Sequence, residues 1–124
     1  MVPDSGFNEP SQIDKLRAMY EAFNQRDADC VLNAMTADVD WPNGWQGGRV
    51  TGQDAVREYW RRQWAEIDPK VTPIHFTALP DDRVRVRVHQ VVHDRNGNLL
   101  ADTQVGHVYS FKGGLINSME IEEG

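Results

Sequence analysis

The chain has 124 residues, 40% of them hydrophobic and 26% charged, with a formal net charge of −6. That length supports one hydrophobic core, and either half alone would be too small to bury one. The acidic balance argues against nucleic acid or an anionic membrane surface as a partner, the single Cys30 excludes internal disulfides and multi-cysteine metal sites, and no apolar run reaches the length of a membrane span.

Residues 1–10, MVPDSGFNEP, hold two prolines and a glycine with no hydrophobic period. They read as a loose tail, and being polar and acidic they do not resemble a signal or transit peptide, so a cytoplasmic setting is expected. Residues 11–124 then form a single domain. Ser11, with Asp14 three residues on, opens a first helix whose stripe is Ile13, Leu16, Tyr20 and Phe23, flanked by Met19. Asn24-Gln25-Arg26-Asp27 breaks it. A second, short helix over residues 28–36 turns Val31, Leu32 and Met35 inward. Val39-Asp40-Trp41 reads as a brief strand stopped by Pro42. Residues 42–52, PNGWQGGRVTG, are a loop by composition, yet one that carries Trp45. Thr51 and Asp54 begin a third helix with the stripe Val56, Trp60, Gln63/Trp64 and Ile67, and Pro69 ends it.

From there the chain reads as strands. Asn96-Gly97 is a strong two-residue hairpin signal, because both turn positions take positive φ. Centring the turn there pairs Asp94 with Leu99, Val92 with Ala101, Gln90 with Thr103, Val88 with Val105, Val86 with His107 and Val84 with Tyr109. One face is then apolar, and the other sets Arg83, Arg85, Arg87, His89 and His93 against Asp102 and Gln104. A three-residue turn at Lys112–Gly114 pairs Phe111 with Leu115, Tyr109 with Asn117, His107 with Met119 and Val105 with Ile121. Three helices followed by long antiparallel strands, without βαβ alternation, predict an α+β domain: helices packed on a curved antiparallel sheet around a pocket.

The segments AFNQRDAD, MTADVDW, the glycine-rich loop running into TGQDAVREYWRRQW, and GHVYSFKGGLINSMEIEE together resemble nuclear transport factor 2-like proteins of the SnoaL-like and ketosteroid-isomerase-like branch, over roughly residues 11–122. The resemblance implies a cone-shaped sheet closed by the helices, often dimeric through its outer face, and a range of activities from isomerases and polyketide cyclases to non-catalytic binding domains. It also implies positions for chemistry. The isomerase base falls on Asn43, the helix-1 tyrosine on Met19 with Tyr20 next to it, the acidic donor on His107, and the cyclase acid of the last strand on Ile121, flanked by outward-pointing Glu120 and Glu122. None of the four slots carries the family's residue.

Read from the residues themselves, His107 is the leading candidate, because it sits mid-strand on the apolar face and imidazole suits proton transfer near neutral pH. It is equally readable as a core histidine with a hydrogen-bond partner. Asp40 is the second catalytic candidate, against the plainer reading of an exposed residue beside a loop. Tyr20, Trp41, Asn43, Trp45, Trp60, Gln90, Tyr109 and Met119 are candidate ligand contacts, with Trp45 placed to close over a ligand and Asn43 equally at home as a turn residue. No metal is expected: His89 and His93 share a face but stand roughly 13 Å apart along a strand. No cofactor motif is present. The expectation is therefore a pocket protein for a small hydrophobic cyclic molecule, acting as a cofactor-free isomerase, cyclase or dehydratase or else as a non-catalytic binding or dimerisation domain. Arg85, Arg87, His89, Val91 and Val108 mark the outer face through which a homodimer is expected.

Overall fold

A computed structural model describes residues 12–43 and 47–123, with the backbone alone at position 123. The loose tail and Trp45 lie outside the described residues. The elements are α1 (Gln12–Asn24), α2 (Ala28–Leu32), β1 (Met35–Pro42), β2 (Arg49–Thr51), α3 (Gln53–Glu66), β3 (Ile67–Ala78), β4 (Val84–Asp94), β5 (Leu99–Lys112) and β6 (Leu115–Glu123), with a 3₁₀ turn at Pro80–Asp82. The strands form one open, curved sheet in the order β2-β1-β6-β5-β4-β3. It is mixed, because β1 runs parallel to β6 while the other pairings are antiparallel.

The short helix α2 begins and ends where side chains serve its free backbone groups. Arg26 takes a left-handed φ of 63° and reverses the chain after α1. The Asp27 side chain then accepts from the Cys30 N–H at the start of α2. That helix stops at Leu32, earlier than expected, because Ala34 O accepts from Ile116 N at 2.8 Å and draws the chain into the sheet. Met35 therefore opens β1. Gln53 Nε2 donates to the carbonyls of Leu32 (3.1 Å) and Met35 (3.0 Å), tying the start of α3 to this junction.

The glycine-rich loop also holds a strand. Gly47 and Gly48 take positive φ, and Arg49–Thr51 folds back on β1 as β2, pairing Trp41 with Val50. Helix α3 ends at Glu66, so Ile67 belongs to β3, not to the helical stripe, and Pro69 lies inside that strand. Proline is tolerated there because β3 is an edge. Asn24, the last residue of α1, clamps this edge: its amide donates to Val71 O (2.7 Å) and accepts from Val71 N (2.9 Å).

The β4–β5 register runs as expected from Val84–Tyr109 to Val92–Ala101. At the turn it slips, and Leu99 pairs with His93 where Asp94 was expected. Asp94 instead bonds Asn98, with its carboxylate accepting from the N–H groups of Asn96 (2.8 Å) and Asn98 (2.9 Å). The β5–β6 turn holds two residues, not three, since Lys112 pairs with Leu115. An irregularity then leaves Asn117 over, so that Ser110 meets Ser118, Tyr109 meets Met119 and His107 meets Ile121. The extra residue restores the parity that a three-residue turn would have set, so the pairs differ from those expected while the facing is the same.

The core lies between the concave sheet face and the helices. Leu16 and Tyr20 of α1, Val56 and Trp60 of α3, and Val39, Val86, Val88, Tyr109, Ile116 and Met119 of the sheet are all buried.

Candidate functional site

A cavity of about 670 Å³ opens between the concave face, α1 and α3. Its inner wall is built from aromatic and sulfur-bearing side chains: Met19 and Tyr20 from α1, Trp41 from β1, Tyr59 and Trp60 from α3, His107 and Tyr109 from β5, and Met119 from β6. Period-two alternation places His107 and Tyr109 on the same face of β5, with Gly106 and Val108 facing the other way. Trp41 and Trp60 meet edge to face with ring centroids 5.8 Å apart, and Trp60 continues through Trp64 (5.9 Å, stacked) and Phe23 (5.6 Å). Such contacts fix the ring positions that shape the wall.

The polar groups gather in two places. Deep in the cavity, Tyr20 Oη lies 2.8 Å from His107 Nδ1, and the Tyr109 hydroxyl donates to Tyr20 Oη at 2.7 Å. His107 is 6% exposed, and burial lowers its pKa from 6.5 to about 4, so the imidazole is neutral near pH 7. Burial likewise raises the pKa of Tyr20 and Tyr109, and both stay protonated hydroxyls. Both hydrogen bonds of the His107 ring fall on Nδ1, and the other nitrogen, Nε2, has no partner among the described residues. At the rim stand Gln63, Gln90, Thr103 and Gln104. Gln63 Nε2 donates to Tyr59 Oη at 3.2 Å, and Gln90 pairs with Thr103 across β4 and β5.

The structure thus brings together Tyr20, Trp41, Trp60, Gln90, His107, Tyr109 and Met119. It does not bring Asp40 or Asn43 to the described lining. With Val39 and Trp41 buried on the inner face of β1, Asp40 points the other way, and Arg49 Nε donates to its carboxylate at 2.9 Å. Arg49 also donates to Met119 O (2.7 Å) and pairs with Glu120, so Asp40 belongs to an outer-face ion cluster. Asn43 shapes the turn: its N–H donates to Gly48 O (2.9 Å) and its carbonyl accepts from Gly47 N (2.8 Å). Trp45 lies outside the described residues. Of the slots that the family resemblance marked, Met19 lines the wall but the hydroxyl beside His107 comes from Tyr20, and Ile121 faces the cavity where the cyclase acid was expected. Glu120 and Glu122 do point outward, to Arg49 and Arg85.

Sequence reasoning missed Tyr59, Gln63, Leu100, Thr103 and Gln104 as lining residues. Gln63 was legible on the α3 stripe, one turn after Trp60. Thr103 was legible too, as the partner of Gln90 on the inner face, whereas Gln104 was not, because alternation sets it on the outer face and it reaches the lining only at an exposed rim. Among the described residues, no three His, Cys, Asp or Glu side chains gather in a way that could hold a metal, and no helix is long and apolar enough to cross a membrane.

Similar architecture recurs among solved structures. An NTF2-like protein of unknown function from Burkholderia pseudomallei is 27% identical, with 94% of this chain and 92% of that one covered and a TM-score of 0.80. TerC, co-crystallised with polyporic acid, is 25% identical with 91% of each chain covered and a TM-score of 0.79. A protein from Xanthomonas campestris provisionally named a polyketide cyclase is 26% identical, with 91% and 90% covered and a TM-score of 0.75. No curated protein matches. The SnoaL-like domain model matches residues 16–119, which takes in most of α1, all of α3, the sheet as far as Met119 and every deep residue of the cavity. This chain belongs to the SnoaL-like domain family.

Proposed function

We propose that the protein holds a small, hydrophobic, ring-bearing molecule in the cavity, with an oxygen of that molecule at His107 Nε2, and that its chemistry is cofactor-free proton chemistry of the isomerase, cyclase or dehydratase kind. One observation carries this reading: a neutral imidazole lies deep in an aromatic wall with one nitrogen held and the other unpartnered among the described residues. A polar group placed where water is scarce acts strongly on charge that develops on a bound oxygen. Neutral histidine is known to polarise carbonyls in this way. The cavity volume falls in the usual range for small-molecule sites. The neighbours named as a cyclase and as a polyporic acid complex are consistent with a cyclic ligand.

A second reading, non-catalytic binding, is favoured by a specific feature: the described lining contains no carboxylate to serve as a base. Both readings require the ligand to sit against the tryptophans. Titration of the protein with polyporic acid, followed by tryptophan fluorescence, is expected to quench in a saturable way. In His107→Phe the affinity is expected to fall about tenfold, the value of one hydrogen bond to a buried neutral donor. Quenching that neither saturates nor responds to His107→Phe would remove the cavity as the site. Turnover of a cyclic ketone by the wild type, abolished in His107→Phe, would decide for catalysis over binding.

A further inference from the structure

We infer that Tyr20 is a positioning residue that, with Tyr109 donating into it, holds the His107 ring with the proton on Nε2, so that the histidine presents a hydrogen-bond donor to the cavity and not a base. The inference rests on the reading that His107 faces the ligand, and it specifies which face of acid–base chemistry the ring can offer.

Counting protons decides between the possible arrangements. Three groups meet: Tyr109 Oη is 2.7 Å from Tyr20 Oη, Tyr20 Oη is 2.8 Å from His107 Nδ1, and Tyr109 Oη is 3.5 Å from the same nitrogen. Each hydroxyl has one hydrogen to give, and a neutral imidazole has one N–H. In one arrangement Tyr109 donates to Tyr20, Tyr20 donates to Nδ1, and the ring proton rests on Nε2. Every buried donor in the trio then has an acceptor, and only Nε2–H is left to face the cavity. In the reverse arrangement Nδ1–H donates to Tyr20 and Tyr20 donates to Tyr109. The Tyr109 proton is then left with no acceptor among the described residues, on a side chain that is fully buried. An unmet buried donor is costly enough to bias the two arrangements by roughly tenfold or more. Tyr20 therefore spends its hydrogen inside the protein, and the donor that reaches the cavity is the one on Nε2.

The consequence is selectivity for ligands that place an acceptor oxygen, such as a carbonyl, at the inner end of the cavity. A group that can only donate there would leave Nε2–H unmet, and such mismatches are discriminated strongly in buried sites. In this tautomer Nε2 has no lone pair to take a proton, so a catalysed step would use the ring to stabilise charge on oxygen.

The test is a two-bond ¹H–¹⁵N correlation spectrum of the histidine rings in ¹⁵N-labelled protein at pH 7, without ligand. The wild type is expected to show His107 with Nδ1 unprotonated and Nε2 protonated. Tyr109→Phe leaves the Tyr20 hydroxyl with Nδ1 as its one acceptor among the described residues, so the same tautomer is expected to persist there. Tyr20→Phe, which leaves Nδ1 only the distant Tyr109 hydroxyl at 3.5 Å, is expected to mix the tautomers, with an Nδ1-protonated population of about a tenth or more. A wild-type ring protonated on Nδ1 would overturn the inference. So would a folded Tyr20→Phe protein whose tautomer is unchanged, since that tyrosine would then only pack, or a folded Tyr109→Phe protein with the ring proton on Nδ1. If neither variant folds, the wild-type spectrum alone decides. Polyporic acid binding separates the two layers: the expected tautomer without binding would remove the ligand reading alone, whereas binding with Nδ1 protonated would remove this inference alone.

Discussion

His107 shows how a single side chain can be placed by alternation and still be only partly read. Its position between Val105 and Tyr109 put it on the concave face, and the structure buries it there. What alternation could not supply was its partner, because the reach of the Tyr20 hydroxyl depends on how α1 crosses the sheet. Asp40 is the converse case. The inward Val39 and Trp41 already implied that the residue between them turns outward, and Arg49 confirms it. Burial of His107 as a neutral ring has a thermodynamic signature. Burial holds its pKa at about 4 in the folded chain against the ordinary 6.5, so between those values the unfolded chain binds the extra proton. The stability contribution is complete above about pH 6.5 and is lost as pH falls towards 4, by roughly 3 kcal/mol in all. Urea unfolding at pH 7.5 and 4.5 is expected to show a fall that is about 2–3 kcal/mol smaller in His107→Phe. Equal falls in the two proteins would mean that the ring is not held neutral.

At the scale of elements, the hairpins were legible because their turns are written in glycine and asparagine, and the departures lie where one residue is left over. The slip beside Asp94 and the extra Asn117 are irregularities that no short motif announces, and Asn117 is held by its own contact, with its amide donating to Thr36 Oγ1 at 3.2 Å. The parallel pairing of β1 with β6 was equally hidden, since it depends on Ala34 meeting Ile116 across most of the chain. The end of α1 carries a further long-range tie. Asn24, legible only as a helix breaker, satisfies both backbone groups of Val71 on the edge strand, and Val71 lines the cavity. Asn24→Ala leaves that partly buried backbone pair unmet, so a loss of about 1–3 kcal/mol is expected in chemical denaturation. Hydrogen exchange should rise first at the Val71 amide. A variant with unchanged stability and unchanged exchange at Val71 would show that water replaces the clamp.

For the whole molecule, the α+β class and the facing of the sheet follow from hydrophobic periodicity, whereas the lining of the cavity follows from curvature, which one sequence does not encode position by position. The outer face illustrates the difference. Val108 was expected to need a partner copy to cover it, yet it is 5% exposed within the single chain, and Arg85 and His89 are already paired with Glu122 and Asp102. We propose that two copies pair through this face around the half-buried Val91. Sedimentation equilibrium at micromolar concentration is then expected to give the mass of two chains, and the mass of one would contradict the pairing. The concave face carries the central claim, that a ring-bearing molecule lies against Trp41 and Trp60 with an oxygen at His107. A crystal structure of the protein with polyporic acid tests it most directly. The account predicts the molecule inside the cavity with one oxygen within about 3 Å of His107 Nε2; a molecule bound on the outer face, or one inside that leaves Nε2 without a partner, would contradict it.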